Sequence, residues 1–153
     1  MIEVMRTARI RADAEDIWAL VSDPARAADW FDLTDRTEVV EGEGVGQKRT
    51  QHGHWGRRKA EIDQEITAWE PGRLIAWKHL AERLDGKPAP RFAASTEFRI
   101  ELRADETGTI VRLRSRQEPA NVVTGWIMRL MGTKDITRSM ERSLHALMDQ
   151  LEK

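Results

Sequence analysis

The chain has no cysteine and no tyrosine, only five prolines and three phenylalanines, and no surplus of charge of either sign. Without cysteine there is no disulfide framework, no thiol nucleophile and no thiolate metal site. The 25 basic and 26 acidic residues leave a net charge of −1, so no overall field draws the molecule to nucleic acid or an anionic membrane, and partners must be argued from a site. No segment approaches the roughly eighteen consecutive apolar residues of a membrane-spanning helix. The opening MIEVMRTARIRA alternates charge with apolarity, unlike a secretory leader. A cytoplasmic protein with one domain over residues 1–153 is the expectation, because a chain of this size buries one core and seldom two. What is plentiful is tryptophan: six indoles carry most of the aromatic mass, and each must be buried or line something.

No proline follows Pro119, and Val122, Trp126, Leu130, Met140, Leu144, Leu147, Met148 and Leu151 recur at spacings of three and four. This spacing predicts a long helix from Asn121 to Lys153 burying one stripe. Thr133 and Thr137 fall on the same stripe and make its middle polar, while Gly125 and Gly132 predict an irregular first third. Upstream the period changes to two. Val4, Ala8 and Ile10 share a parity and place a first strand over residues 3–11. Asp13 and Asp16 predict a capped short helix with Ile17, Leu20 and Val21 on one face, and Asp23-Pro24 opens a second over Ala25 to Trp30. Strands then come over Glu38 to Glu41 and Gln47 to His52, separated by the glycines at 42, 44 and 46, whose spacing is not that of a phosphate loop.

Lys59 to Trp69 alternates, with Ala60, Ile62, Gln64, Ile66 and Ala68 against Glu61, Asp63, Glu65 and Thr67. Glu70-Pro71-Gly72-Arg73 predicts a hairpin turn. With Pro71-Gly72 as its loop, Ala68 faces Ile75, Ile66 faces Trp77 and Gln64 faces His79, so the inward row turns polar at Gln64 and His79. After a polar loop from Asp85 to Pro90, Ala94, Thr96, Phe98, Ile100 and Leu102 predict a one-faced strand. A last strand turns Val111, Leu113, Ser115 and Gln117 inward against Arg112, Arg114 and Arg116.

Three clusters invite a sharper chemistry and carry little of it. His52-Gly53-His54 with His79 offers imidazoles for zinc or iron, but spacing fixes no carboxylate beside them; loop histidines are the better reading, and neither metal nor cofactor is expected. Glu61, Asp63 and Glu65 share the wet face, so cross-strand pairing with Arg112, Arg114 and Arg116 accounts for them better than catalysis. Arg57-Arg58-Lys59 beside Trp55 is too small a basic footprint for nucleic acid. Trp30, Phe31 and Trp55 could form a dimer patch or the rim of a pocket with His52 and His54, so monomer and homodimer both stay open.

The element order, one strand, two short helices, about six strands and one long helix, resembles the helix-grip fold of the START-like (SRPBCC) superfamily, in particular its polyketide cyclase/dehydrase and lipid-transport branch. The residues carrying the resemblance are Ile10-Arg11-Ala12-Asp13-Ala14-Glu15-Asp16-Ile17-Trp18, Asp23-Pro24-Ala25-Arg26 with Trp30, Gly44-Val45-Gly46, Trp69-Glu70-Pro71-Gly72-Arg73-Leu74-Ile75-Ala76-Trp77 and the closing helix. It implies an α+β fold in which a curved seven-stranded antiparallel sheet wraps the C-terminal helix around a cavity for a small hydrophobic or aromatic, lipid or polyketide-like molecule. Gln64, Ile66, Trp77, His79, Phe98, Trp126, Leu130, Thr133 and Thr137 are the expected wall, without stable membrane insertion. The alternative is a filled core. The resemblance does not choose an activity. A carrier or sensor is the first reading. A cyclase or dehydratase is the second, for which no catalytic residue carries over and His79 is the sole acid–base candidate. A co-chaperone-like activator of an ATPase is the third.

Overall fold

The computed structural model describes residues 1–89, 93–127, 129 and 133–152. Strand β1 (Ile2–Ile10) leads to helix α1 (Ala14–Val21), a 3₁₀ turn (Pro24–Arg26) and helix α2 (Ala27–Trp30). Strands β2 (Arg36–Glu41), β3 (Lys48–Trp55), β4 (Arg58–Glu70), β5 (Leu74–Leu84), β6 (Lys87–Pro88), β7 (Ala93–Asp105) and β8 (Gly108–Pro119) come next, then α3 (Val122–Ile127) and α4 (Thr133–Leu151). Seven strands form an antiparallel path β1-β8-β7-β5-β4-β3-β2, and the two-residue β6 sits beside β5 in a stretch whose polarity reads as loop. The helices cover one face. Ile10, Ile75, Ile100, Leu102, Val111 and Leu113 from the sheet meet Ile17, Leu20, Met140, Leu144 and Leu147 from α1 and α4 in a single core.

Local corrections to the sequence reading have physical causes. Asp13 has the extended backbone of an N-cap, yet its side chain makes no capping bond, and the Asp16 amide donates to the Asp13 carbonyl instead. The second short helix starts as a 3₁₀ turn because the Asp23 carboxylate accepts from the Ala25 amide at 2.9 Å ahead of Pro24's fixed φ. Trp30 and Phe31 are buried, at 3% and 6% exposure, and are therefore neither a surface patch nor a rim. Arg112, Arg114 and Arg116 do face outward, but β8 neighbours β1 and β7, so their carboxylates are Glu101 and Glu3. The acids of β4 are met by Arg83 and Lys78 from β5 instead.

The β4–β5 hairpin shows how one residue redirects a face. Its loop holds three residues, with Gly72 at φ 76° and Glu70 paired to Leu74, so Ala68 faces Ala76 and Trp69 faces Ile75. Thr67 then stands opposite nothing. This bulge restores the register at Ile66–Trp77 and Gln64–His79. Trp69, not Ala68, thereby joins the core side, where its ring meets Trp18 edge-on at 5.3 Å.

Candidate functional site

Antiparallel register lines the inward residues up in rows across the sheet. One row runs Val4, Ser115, Phe98, Trp77, Ile66, all buried. Its rings are packed together: Trp77 stacks on Phe98 at 5.0 Å, and Phe31 closes on both at 6.0 and 5.3 Å. The next row is polar. Gln117 pairs with Thr96 on one side, and on the other His79 pairs with Gln64, which pairs with Arg49. Between these halves β5 and β7 part company, because their pairing ends at Lys78–Glu97.

Two bulges lie beside this split. On β5, Leu80 has no partner between Gln64–His79 and Asp63–Ala81; on β7, Ala94 has none between Ser95–Glu118 and Ala93–Pro119. A bulge bends its strand and adds twist, which is what two strands need in order to diverge. Ala94 is consequently exposed rather than inward. The Leu80 bulge also inverts the parity of the residues after it. Residues three apart on a strand ordinarily face opposite ways, but here Glu82 faces Ile62 while His79 faces Gln64, so both lie on the inner side. Glu82 Oε1 stands 2.9 Å from His79 Nδ1. The two line a groove of about 290 Å³ with Leu80, Ala81, Ser95 and Thr96, floored further by Pro88, Ala89, Ala93 and Ala94.

The buried polar groups near the Gln64 end mostly satisfy one another. Gln64 Nε2 donates to Gln51 Oε1 at 2.9 Å, and Gln51 Nε2 to the Leu33 carbonyl at 3.2 Å. Arg49 is only 6% exposed; its Nε donates to Gln47 and its Nη2 to the Ser22 carbonyl at 3.4 Å, and among the described residues no carboxylate pairs with it. Burial pushes its guanidinium down to about 10, with the charge of Asp23 acting in the opposite direction. Trp30 Nε1, stacked against Phe31, is buried without an acceptor among the described residues. Outside, Arg83 holds Asp63 at 2.6 Å and Glu61 at 3.2 Å, and the Arg83 hydrogen bond keeps the Asp63 carboxyl below its ordinary range.

The expected wall is therefore divided. Ile66, Trp77 and Phe98 belong to the packed row, Gln64 to the glutamine network, and His79 to the groove. Thr133 and Thr137 line a different cleft, of about 340 Å³, with Arg6, Lys134, Arg138 and Glu141. Thr137 Oγ1 donates to the Thr133 carbonyl at 2.7 Å. Trp126 is 66% exposed, because the side of α3 that meets the body is Gly125 against Pro119. Leu130 and the Trp55 side chain lie outside the described residues. His52 and His54 point to the outer side, toward Glu38 and Asp35, and among the described residues no group of three side chains could hold a metal. Glu82, Thr96 and Arg49 were missed as site residues. For Thr96 and Arg49 the inward parity was a usable signal, but for Glu82 there was none, since the bulge that turns it inward falls on an ordinary leucine.

Solved structures share this architecture at low sequence identity. A START superfamily protein from Mycobacterium smegmatis matches with a TM-score of 0.75 and 16% identity, covering 98% of this chain and 97% of its own. A protein from Thermus thermophilus matches at 0.74 and 18%, over 97% and 95%. The Zhui aromatase/cyclase from a Streptomyces species matches at 0.73 and 18%, over 99% and 93%. No curated protein matches in sequence. A family model described as polyketide cyclase/dehydrase and lipid transport matches residues 1–152.

Proposed function

We propose, from the premise that the chain belongs to the polyketide cyclase/dehydrase and lipid transport family, that it carries or senses a small aromatic or hydrophobic molecule seated in the split between β5 and β7. The observation that supports this most is the change from an aromatic row to a polar row at the place where the sheet opens. Leu80, Ala81, Ala89 and Ala93 offer an apolar bed, while His79, Glu82, Ser95 and Thr96 offer the few polar contacts that orient a ligand. A groove of about 290 Å³ is at the lower limit of ligand pockets, which run from about 300 to 1,000 Å³. The fit is to a molecule of one or two rings rather than to a long acyl chain.

Native mass spectrometry of gently purified protein tests the reading. A stoichiometric adduct that is lost on denaturation and identified as a small ring compound supports it. A protein that stays free and fails to take up any member of a panel of one- and two-ring phenols and acids contradicts it.

One observation favours a second reading, an enzyme of the cyclase or dehydratase type. Glu82 fixes the His79 ring through Nδ1, which leaves Nε2 as the nitrogen available for proton transfer with a ligand. That reading requires turnover which His79→Ala abolishes while binding survives.

A further inference from the structure

The first six-residue stretch of the closing segment, α3, is apolar on the outside. Val122, Val123, Trp126 and Ile127 are 79%, 69%, 66% and 43% exposed. The helix is nonetheless firmly built. Asn121 Oδ1 accepts from the Thr124 amide while Thr124 Oγ1 accepts from the Asn121 amide, and Gly125 sits so close to Pro119 that a Cβ there would lie 3.3 Å from the proline ring. Only the glycine side faces the body, so the backbone itself presents the four large side chains outward.

Further along the chain come Arg129, Lys134 and Arg138, all exposed and without an ion pair to any carboxylate among the described residues. Thr133 Oγ1 donates to the Arg129 carbonyl at 3.2 Å, tying Arg129 to the start of α4. Lys134 and Arg138 share the cleft of about 340 Å³ with Arg6. Four cations here meet two carboxylates, Asp135 and Glu141, leaving two positive charges in excess on a chain whose net charge is −1. The other exposed apolar set, Leu33, Val39, Val40 and Val45, has no aromatic residue and is interleaved with exposed Glu38, Glu41 and Glu43.

We infer that α3 is a docking wedge that seats the protein on an anionic lipid surface, with the apolar side chains entering the headgroup boundary and Arg129, Lys134 and Arg138 lying over the phosphates. An indole suits that boundary because it is apolar in body and polar at one edge, and each nearby cation adds attraction to an anionic leaflet. A second copy fits the patch less well: a two-fold interface would bring the same cations against each other. The inference does not depend on what the groove binds.

Co-sedimentation with phosphatidylcholine vesicles, with and without phosphatidylserine, tests it. The protein is expected to pellet with the anionic vesicles only, to be released by raised salt, and to lose about fivefold in partitioning for each of Lys134→Gln and Arg138→Gln. Trp126→Asp is expected to abolish pelleting without changing the far-ultraviolet circular dichroism. No pelleting, equal pelleting on both vesicle types, or a dimer that Trp126→Asp converts to a monomer would each overturn it.

Discussion

The two ends of the sheet interior are made by the same strands and behave differently. At one end Ile75, Ile100, Val111 and Leu113 are fully buried under α1 and α4 and belong to one apolar cluster. At the other end those strands carry His79, Thr96 and Gln117, the β5–β7 ladder stops, and a groove opens. Packing at the first end supplies the stability that lets the second tolerate a buried arginine and strand edges with no partner strand. A ladder that ends early is an energetic cost, and a sealed core a few residues away offsets it.

The sharpest way to break this contrast is at the sealed end. Leu113→Ala is expected to cost about 2–5 kcal/mol in urea unfolding, since Leu113 is 0% exposed and the rigid neighbours cannot close the void. A loss below about 1 kcal/mol would mean that the sealed end is not where stability resides. At the polar end Gln64→Leu is expected to cost less, about 1–3 kcal/mol, because it strands the buried Gln51 Oε1 while adding apolar contact. A larger loss than that of Leu113→Ala would erase the distinction between the ends.

The outer face supplies a smaller, pH-dependent effect. Arg83 depresses the Asp63 carboxyl in the folded state, so the stability this pair contributes is present above the ordinary carboxylate range and is lost as pH falls through the depressed value. Arg83→Met is expected to destabilise by less than about 1 kcal/mol near neutral pH, the pair being partly exposed. The difference from the unmodified protein should vanish in strong acid. A gap that persists there would assign Arg83 a packing role instead. Smallest of all, Val45→Ser, at a residue 64% exposed on the β2–β3 connection, is expected to stay within about 0.5 kcal/mol and to leave the groove unchanged.

Most of the architecture was legible in the sequence because periods of two and of three to four residues are direct consequences of strand and helix geometry. The facing of Gln64 and His79 agrees with the expected hairpin only because two deviations cancel, a loop of three residues instead of two and the unpaired Thr67. What periodicity cannot carry is an inserted residue. Thr67, Leu80 and Ala94 are compositionally ordinary, yet each inverts the parity on one side of itself, and so Trp69 turns inward, Glu82 joins His79 and Ala94 turns out. The Val122–Trp126 spacing likewise marks a helical stripe without saying whether anything covers it. That depended on Gly125 meeting Pro119, a contact made only in the fold.

If a ligand binds in the opening between β5 and β7, filling that opening abolishes binding. The measurement is a titration of the protein with 1-anilinonaphthalene-8-sulfonate, following quenching of tryptophan emission in the unmodified chain and in Thr96→Trp, which fills the groove. Saturable one-to-one quenching is expected in the former, and its loss in the latter at an unchanged Tm. Equal affinity in both proteins would contradict it and place the site elsewhere.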